Sequence, residues 1–234
     1  DPETYTIVTD TPRGWVSSFG LINQSPSFLS FSGYTQTVAK TVDPYAAKSL
    51  GDALGQSTKI EAVRDDAVFS NFKGEGQTIV IIDDGGQASH EQFSGRVIYQ
   101  YDFGENDKNA YSRNDTHGTH VAGIAAGKDW GVAPEADIIL LRVFGYGGYS
   151  NATEKALQWV VRNCDEYNVA SVNLSLGLTV PGTNISYNDT KPYTSWMSDE
   201  FVSLKSNGVF VCAAAGNSYW NYDPQQGVGY PASD

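Results

Sequence analysis

Along the first sixty residues the apolar positions follow no strong period, and Thr, Ser and Pro are frequent. From about residue 60 the pattern changes. "GEGQTIVIIDDGG" is a glycine turn, a β-branched apolar run and then two aspartates and two glycines, which predicts a buried strand ending in a turn. "VIYQYDFGENDKNAYS" reads as a strand entering a polar loop, and "ADIILLRVF" as a second buried strand followed by a flexible "GYGGYS" link. "NATEKALQWVVRN" has the period of an amphipathic helix, with Asn151 as N-cap and Glu154 at the third helical position. "VASVNLSLG" predicts a strand, "TSWMSDEFVSLKSNG" a helix stopped by Gly208, and "VFVCAAAGN" a core strand with Cys212 as a buried thiol. The β-α-β-α-β alternation predicts an α/β fold, a parallel sheet with helices on both faces.

Two regions follow: residues 1–59, an N-terminal extension or small subdomain in which "PYAAKSLGDAL" suggests a short helix, and residues 60–234, the α/β domain. No internal repeat or low-complexity segment breaks this division. No apolar run approaches the roughly 18 residues of a membrane span. A net charge of −12 repels phosphates and anionic membranes, so neither nucleic acid nor membrane is expected as a partner. The chain starts with Asp1 and ends in "VGYPASD" with no helix stop, so it reads as processed or cut from a longer polypeptide. Asn-x-Ser/Thr sequons, as at Asn114 and Asn188, permit a secreted glycoprotein.

In parallel sheets chemistry collects at the carboxyl ends of the strands. The residues there are Asp83-Asp84-Gly85, Ser175-Leu176-Gly177 and Ala215-Gly216-Asn217, and a Gly- and Ala-rich helix opens with His117 and His120 in "HGTHVAGIAAG". Three readings compete. Metal binding by His117 and His120, joined by His90 or Asp83, lacks the i, i+4 spacing and intervening Glu of zincins. Dinucleotide binding fails because the glycines of "GEGQ" precede their strand, and "FGYGGYS" lacks G-x-G-x-x-G spacing. The third reading is acid-base catalysis, with Asp83 orienting His117 and His117 acting as general base. Alone, either residue is an ordinary polar group at an element's end.

"IIDDG", "HGTHVAG", "NLSLG" and "AAAGN", in that order, resemble the subtilisin-like serine proteases (subtilases) from about residue 60 onward. The resemblance implies a secreted endopeptidase acting on polypeptides. Asp83 would be the triad acid, His117 the base and Asn217 the side-chain donor of the oxyanion hole. Ser175, Leu176 and Gly177 would flank the substrate on one side and Gly147 and Gly148 on the other, with Ala215 and Gly216 flooring the specificity pocket. His120 and His90 would be structural. The doubled acid resembles the kexin and furin branch, which implies that Asp84 faces the substrate and favours Lys or Arg beside the specificity residue.

The serine motif G-T-S-x-A does not occur in the sequence. The family spacing puts it beyond Asn217, so the fold is expected to be truncated before the nucleophile helix, with a C-terminal companion chain carrying the serine. Such a fragment alone should be unstable. The alternative is a noncatalytic relative used for binding or assembly. The chemistry implied needs no cofactor. The loop "GKDWGVAP" is too short for one family calcium site, and the acidic run holding Asp102, Glu105 and Asp107 is read as a solvated loop, a structural calcium being the other option there.

Overall fold

A computed structural model describes residues 4–7, 36–39, 60, 63, 66–111, 116–145, 149–177, 197–216 and 229–232. The chain forms two compact units, Asp1–Ser70 and Asn71–Asp234. In the first, β1 (Thr4–Ile7) and β2 (Gln36–Ala39) pair antiparallel. "PYAAKSLGDAL" lies outside the described residues.

The second unit is built on five parallel strands: β3 (Thr78–Asp83), β4 (Val97–Asp102), β5 (Asp137–Arg142), β6 (Val169–Leu174) and β7 (Phe210–Ala213). Their order is β4-β5-β3-β6-β7. Helix α1 (His117–Ala126) precedes β5, α2 (Tyr149–Asn163) links β5 to β6, and α3 (Ser198–Ser206) precedes β7. The connection leaving β3 runs toward β4 and the one leaving its neighbour β6 runs the opposite way toward β7, which opens a crevice at the carboxyl ends of β3 and β6, the usual place for a ligand.

Why β3 and β5 are apolar throughout follows from the two cores. Successive strand side chains point to opposite faces. Val80, Ile82, Ile139 and Leu141 join a core with Ala156, Leu157 and Val160 of α2 and Leu204 of α3. Ile81, Ile138 and Leu140 join a second core with Val121, Ala122 and Ala126 of α1. A strand covered on both faces cannot alternate with polar residues. Each such side chain contributes about 1.5–3 kcal/mol on burial.

Helix α1 is made of small residues because it lies close to β3. Gly118, Ala122 and Ala126, spaced four apart, are all buried. A Cβ on Gly118 would fall on the carbonyl oxygen of Gly85, whereas one on Gly123 would meet nothing within 4 Å. Only the first glycine is thus required by contact.

Several local expectations change. Asn151 lies inside α2, which already includes Tyr149 and Ser150, so it is not the N-cap, and "GYGGYS" is not wholly a link. Glu154 instead accepts a hydrogen bond from Gln158 Nε2 at 3.3 Å, one turn on. Cys212 is an exposed free thiol, while Cys164 is the buried one. The reason is position: among the described residues β7 lies at the edge of the sheet, and Phe210 and Cys212 fall on its exposed face while Val211 and Ala213 pack inward. Gly208, with φ +77°, follows α3 as expected of a helix stop.

Candidate active site

Asp83 is the last residue of β3 and is only 1 % exposed. Its Oδ1 accepts the backbone N–H of Asp84 at 2.8 Å and lies 2.7 Å from Nδ1 of His117, the first residue of α1. Its Oδ2 is buried and has no hydrogen-bond partner among the described residues. Burial pushes the Asp83 carboxyl up from 3.8 to about 6, against the opposing pull of the His117 hydrogen bond. Once ionised, the carboxylate can only accept, so Nδ1 carries the ring proton and Nε2 carries the lone pair. The His117 side chain is 43 % exposed, while its partner is enclosed.

Asp84 has a different environment. Its Oδ2 accepts the amide of His117 at 3.1 Å and its Oδ1 that of Gly118 at 2.6 Å. Gly85 follows at φ +110°, where a side chain would collide with the Ala110 carbonyl. That carbonyl instead accepts the amide of Gly86 at 2.9 Å. The turn needs glycine both for its conformation and for this approach.

Asp83, Asp84, His117, Phe144 and Ser175 line one open cleft of about 270 Å³. Ser175 follows β6, and Asn173 Nδ2 and the Ser175 hydroxyl are hydrogen-bonded at 3.0 Å. Leu176 is buried and Gly177 is exposed. Ala215 and Gly216 follow β7, where the Ala215 carbonyl accepts the amide of Gly229 at 2.9 Å. Gly147, Gly148 and Asn217 lie outside the described residues.

His120 stands one turn along α1, half-buried, and burial, then the charge of His117, lowers its pKa. It is therefore held neutral at neutral pH. His90 lies apart, its Nδ1 accepting the amide of Gln92 at 3.2 Å and its ring tilted on Phe93. Among the described residues the one group able to gather three metal ligands is Asp83, Asp84 and His117. His117 Nδ1 is engaged with Asp83 and both Asp84 oxygens with amides, so that group is already committed within the protein.

The reading of the acidic run as a solvated loop is wrong for Asp102, which is 2 % exposed. Its Oδ2 pairs with Arg142 Nη1 at 2.5 Å, and its Oδ1 accepts the amides of Gly104 and Glu105. Arg142 also donates from Nε to the Asp84 carbonyl at 3.2 Å. It thus links the ends of β4, β5 and β3, a role that sequence reasoning missed. The available signal was a single cation closing an apolar strand, since buried Arg is rare without a partner.

A parallel sheet covered on both faces, with a carboxylate–imidazole pair at the carboxyl end of its central strand, defines an α/β protein with an Asp–His pair in an open cleft. The sequence profile of the Subtilase family matches residues 74–233. Alkaline serine exoprotease A of Vibrio alginolyticus is 32 % identical over 165 residues, 68 % of this chain and 28 % of that protein. A subtilisin-like protease of Coccidioides posadasii is 29 % identical over 227 residues, covering 93 % of this chain and 48 % of its own. Among solved structures, a cold-adapted subtilisin-like serine proteinase superposes with a TM-score of 0.51 at 34 % identity, covering 64 % of this chain and 50 % of that one. Sphericase gives 0.56 at 26 % identity, covering 74 % and 56 %. The chain belongs to the subtilase family, and it spans roughly a quarter to a half of the length of these curated relatives.

Proposed function

We propose that this chain contributes the acid and base of a secreted serine endopeptidase whose nucleophile lies in sequence outside residues 1–234, on a C-terminal continuation or companion chain. The observation that carries this reading is the 2.7 Å contact between buried Asp83 and His117 Nδ1 at the cleft. The greater length of the relatives agrees with a serine supplied from elsewhere.

The chemistry follows from the pair. Nε2 of His117 takes the serine proton as Oγ attacks the peptide carbonyl. Asp83 stabilises the imidazolium so formed, in surroundings where a charge pair is strong. By resemblance to the family, the side-chain amide of Asn217 would meet the tetrahedral oxygen. His117 then gives the proton to the leaving amine, and water resolves the acyl-enzyme by the same path in reverse. By resemblance to the family, 175–177 and 147–148 would flank the polypeptide substrate, with Ala215 and Gly216 beneath its specificity side chain. No cofactor takes part. Any structural calcium lies away from Asp102, whose oxygens are already used. Among the described residues no helix is long and apolar enough to cross a membrane.

The test is fluorophosphonate labelling of the assembled protein, this chain together with its C-terminal continuation or companion, followed by intact-mass analysis and peptide sequencing. The expected result is one labelled serine outside residues 1–234, with labelling lost in His117→Ala. A label on Ser175, or none at all, overturns the proposal; the latter indicates a noncatalytic relative.

A further inference from the structure

Helix α1 has no cap of its own. The side chain at its N-cap, Thr116, makes no capping hydrogen bond, and its first turn contains no acid. Yet the opening amides of a helix need acceptors, and its positive end favours an anion. Both are supplied from 33 and 34 residues away by Asp84, one oxygen on each of the first two helical amides. The backbone N–H of the same residue donates to Asp83 Oδ1 at 2.8 Å, the very oxygen that meets His117. Asp84 therefore touches both halves of the pair: its main chain holds the acid and its side chain holds the helix that carries the base.

We propose that Asp84 is a positioning residue, capping helix α1 from the end of β3 and thereby holding the His117 ring on Asp83. This rests on the reading of Asp83 and His117 as a working acid–base pair. It replaces the role in substrate selection implied by the doubled acid, because both oxygens already accept charge-assisted bonds from the helix. The backbone around this cap is braced as well. Arg142 Nε donates to the Asp84 carbonyl, and the missing side chain at Gly118 lets the helix lie against the Gly85 carbonyl, within reach of the Asp84 carboxylate. A cap lost here would let the helix end fray at the residue that bears the imidazole.

In the assembled protein, the test compares wild type with Asp84→Ala and Asp84→Asn by NMR, reading amide exchange at His117 and Gly118 and the low-field Nδ1–H signal of His117. Neither readout requires a nucleophile, so a failure of the peptidase reading and a failure of this one are separate results. In Asp84→Ala, exchange at both amides should rise at least about tenfold, since each bond to a charged group contributes about 1.5–3 kcal/mol, and the Nδ1–H signal should broaden or vanish. Asparagine keeps one acceptor and turns an NH₂ toward the other amide, so one of the two should lose protection while the Nδ1–H signal survives. Should the alanine variant not fold, the asparagine variant decides alone. Wild-type protection at both amides in whichever variant decides overturns the proposal, as does an unchanged ring-proton signal in Asp84→Ala. In the assembled peptidase, Asp84→Ala should lower kcat alike for peptides with Lys or Ala beside the specificity residue. A loss confined to KM for the Lys peptide restores the substrate contact and overturns positioning.

Discussion

Replacing Asp83 by Asn should stabilise the fold at alkaline pH while removing the acid of the pair. The Asp83 carboxyl is raised from 3.8 to about 6, chiefly by burial. Because the folded-state pKa lies above the unfolded one, the folded chain binds more protons between these values. The sign is then fixed: Asp83 makes stability fall as pH rises through this window, with the full cost present above about pH 6. At 1.36 kcal/mol per pH unit the complete cost is about 3 kcal/mol. About 0.5 kcal/mol of it is already present at pH 4, so about 2.5 kcal/mol should develop between pH 4 and 8.

Urea unfolding of wild type and Asp83→Asn at both pH values measures this as a double difference. Asn does not titrate, and the hydrogen-bond and packing changes common to both pH values cancel. Repeating the comparison in a His117→Ala background removes the titration of the imidazole. The difference there should be at least as large, because His117 lowers the Asp83 pKa. A double difference near zero, or one of opposite sign, refutes the claim that Asp83 is a desolvated carboxylate held at a cost to stability.

Gly118→Ala and Gly123→Ala should have opposite effects although they lie on one helix. The first drives a Cβ onto the Gly85 carbonyl and should cost about 1–3 kcal/mol, while the second meets open space and should gain about 0.5–1 kcal/mol in helix propensity; thermal melts of the two variants check this. Arg142→Ala strands the buried carboxylate of Asp102 and should cost about 3–5 kcal/mol in denaturant unfolding, with much of the loss recovered by adding Asp102→Asn. A thiol reagent should titrate Cys212 rapidly in the native chain and Cys164 only after denaturation.

What the sequence made legible was whatever a local pattern encodes. The runs of β3 and β5 are apolar without alternation because both faces are covered, and that pattern announces a parallel sheet before any contact is known. The closeness of Asp83 and His117 was legible through their motifs. Two of the misreadings concern a partner remote in sequence or a place in the sheet, and the third concerns where a helix begins. Asn151 satisfied the local rule for a cap, yet the helix begins before it. Cys212 sits in an apolar run like those of the core, but its strand falls at the edge. Asp102 looked like one acid among several until Arg142, 40 residues on, met it at the neighbouring strand end.

The three aspartates near the cleft also show why composition says little about a site. All three are close to the carboxyl edge of one sheet, and each meets a different kind of donor. Asp102 meets a guanidinium, Asp84 two backbone amides at the positive end of a helix, and Asp83 an imidazole. Only the last partner is a side chain that can serve as both hydrogen-bond donor and acceptor. The neighbouring charge of Asp84 adds to the rise of the Asp83 pKa, so the doubled acid carries a like-charge cost. The helix offsets part of it, since an anion at a helix N-terminus is stabilised by about 0.3–1 kcal/mol. Two adjacent carboxylates are thus tolerated because they meet different donors: both Asp84 oxygens accept helix amides, and Oδ1 of Asp83 faces the ring that the helix carries.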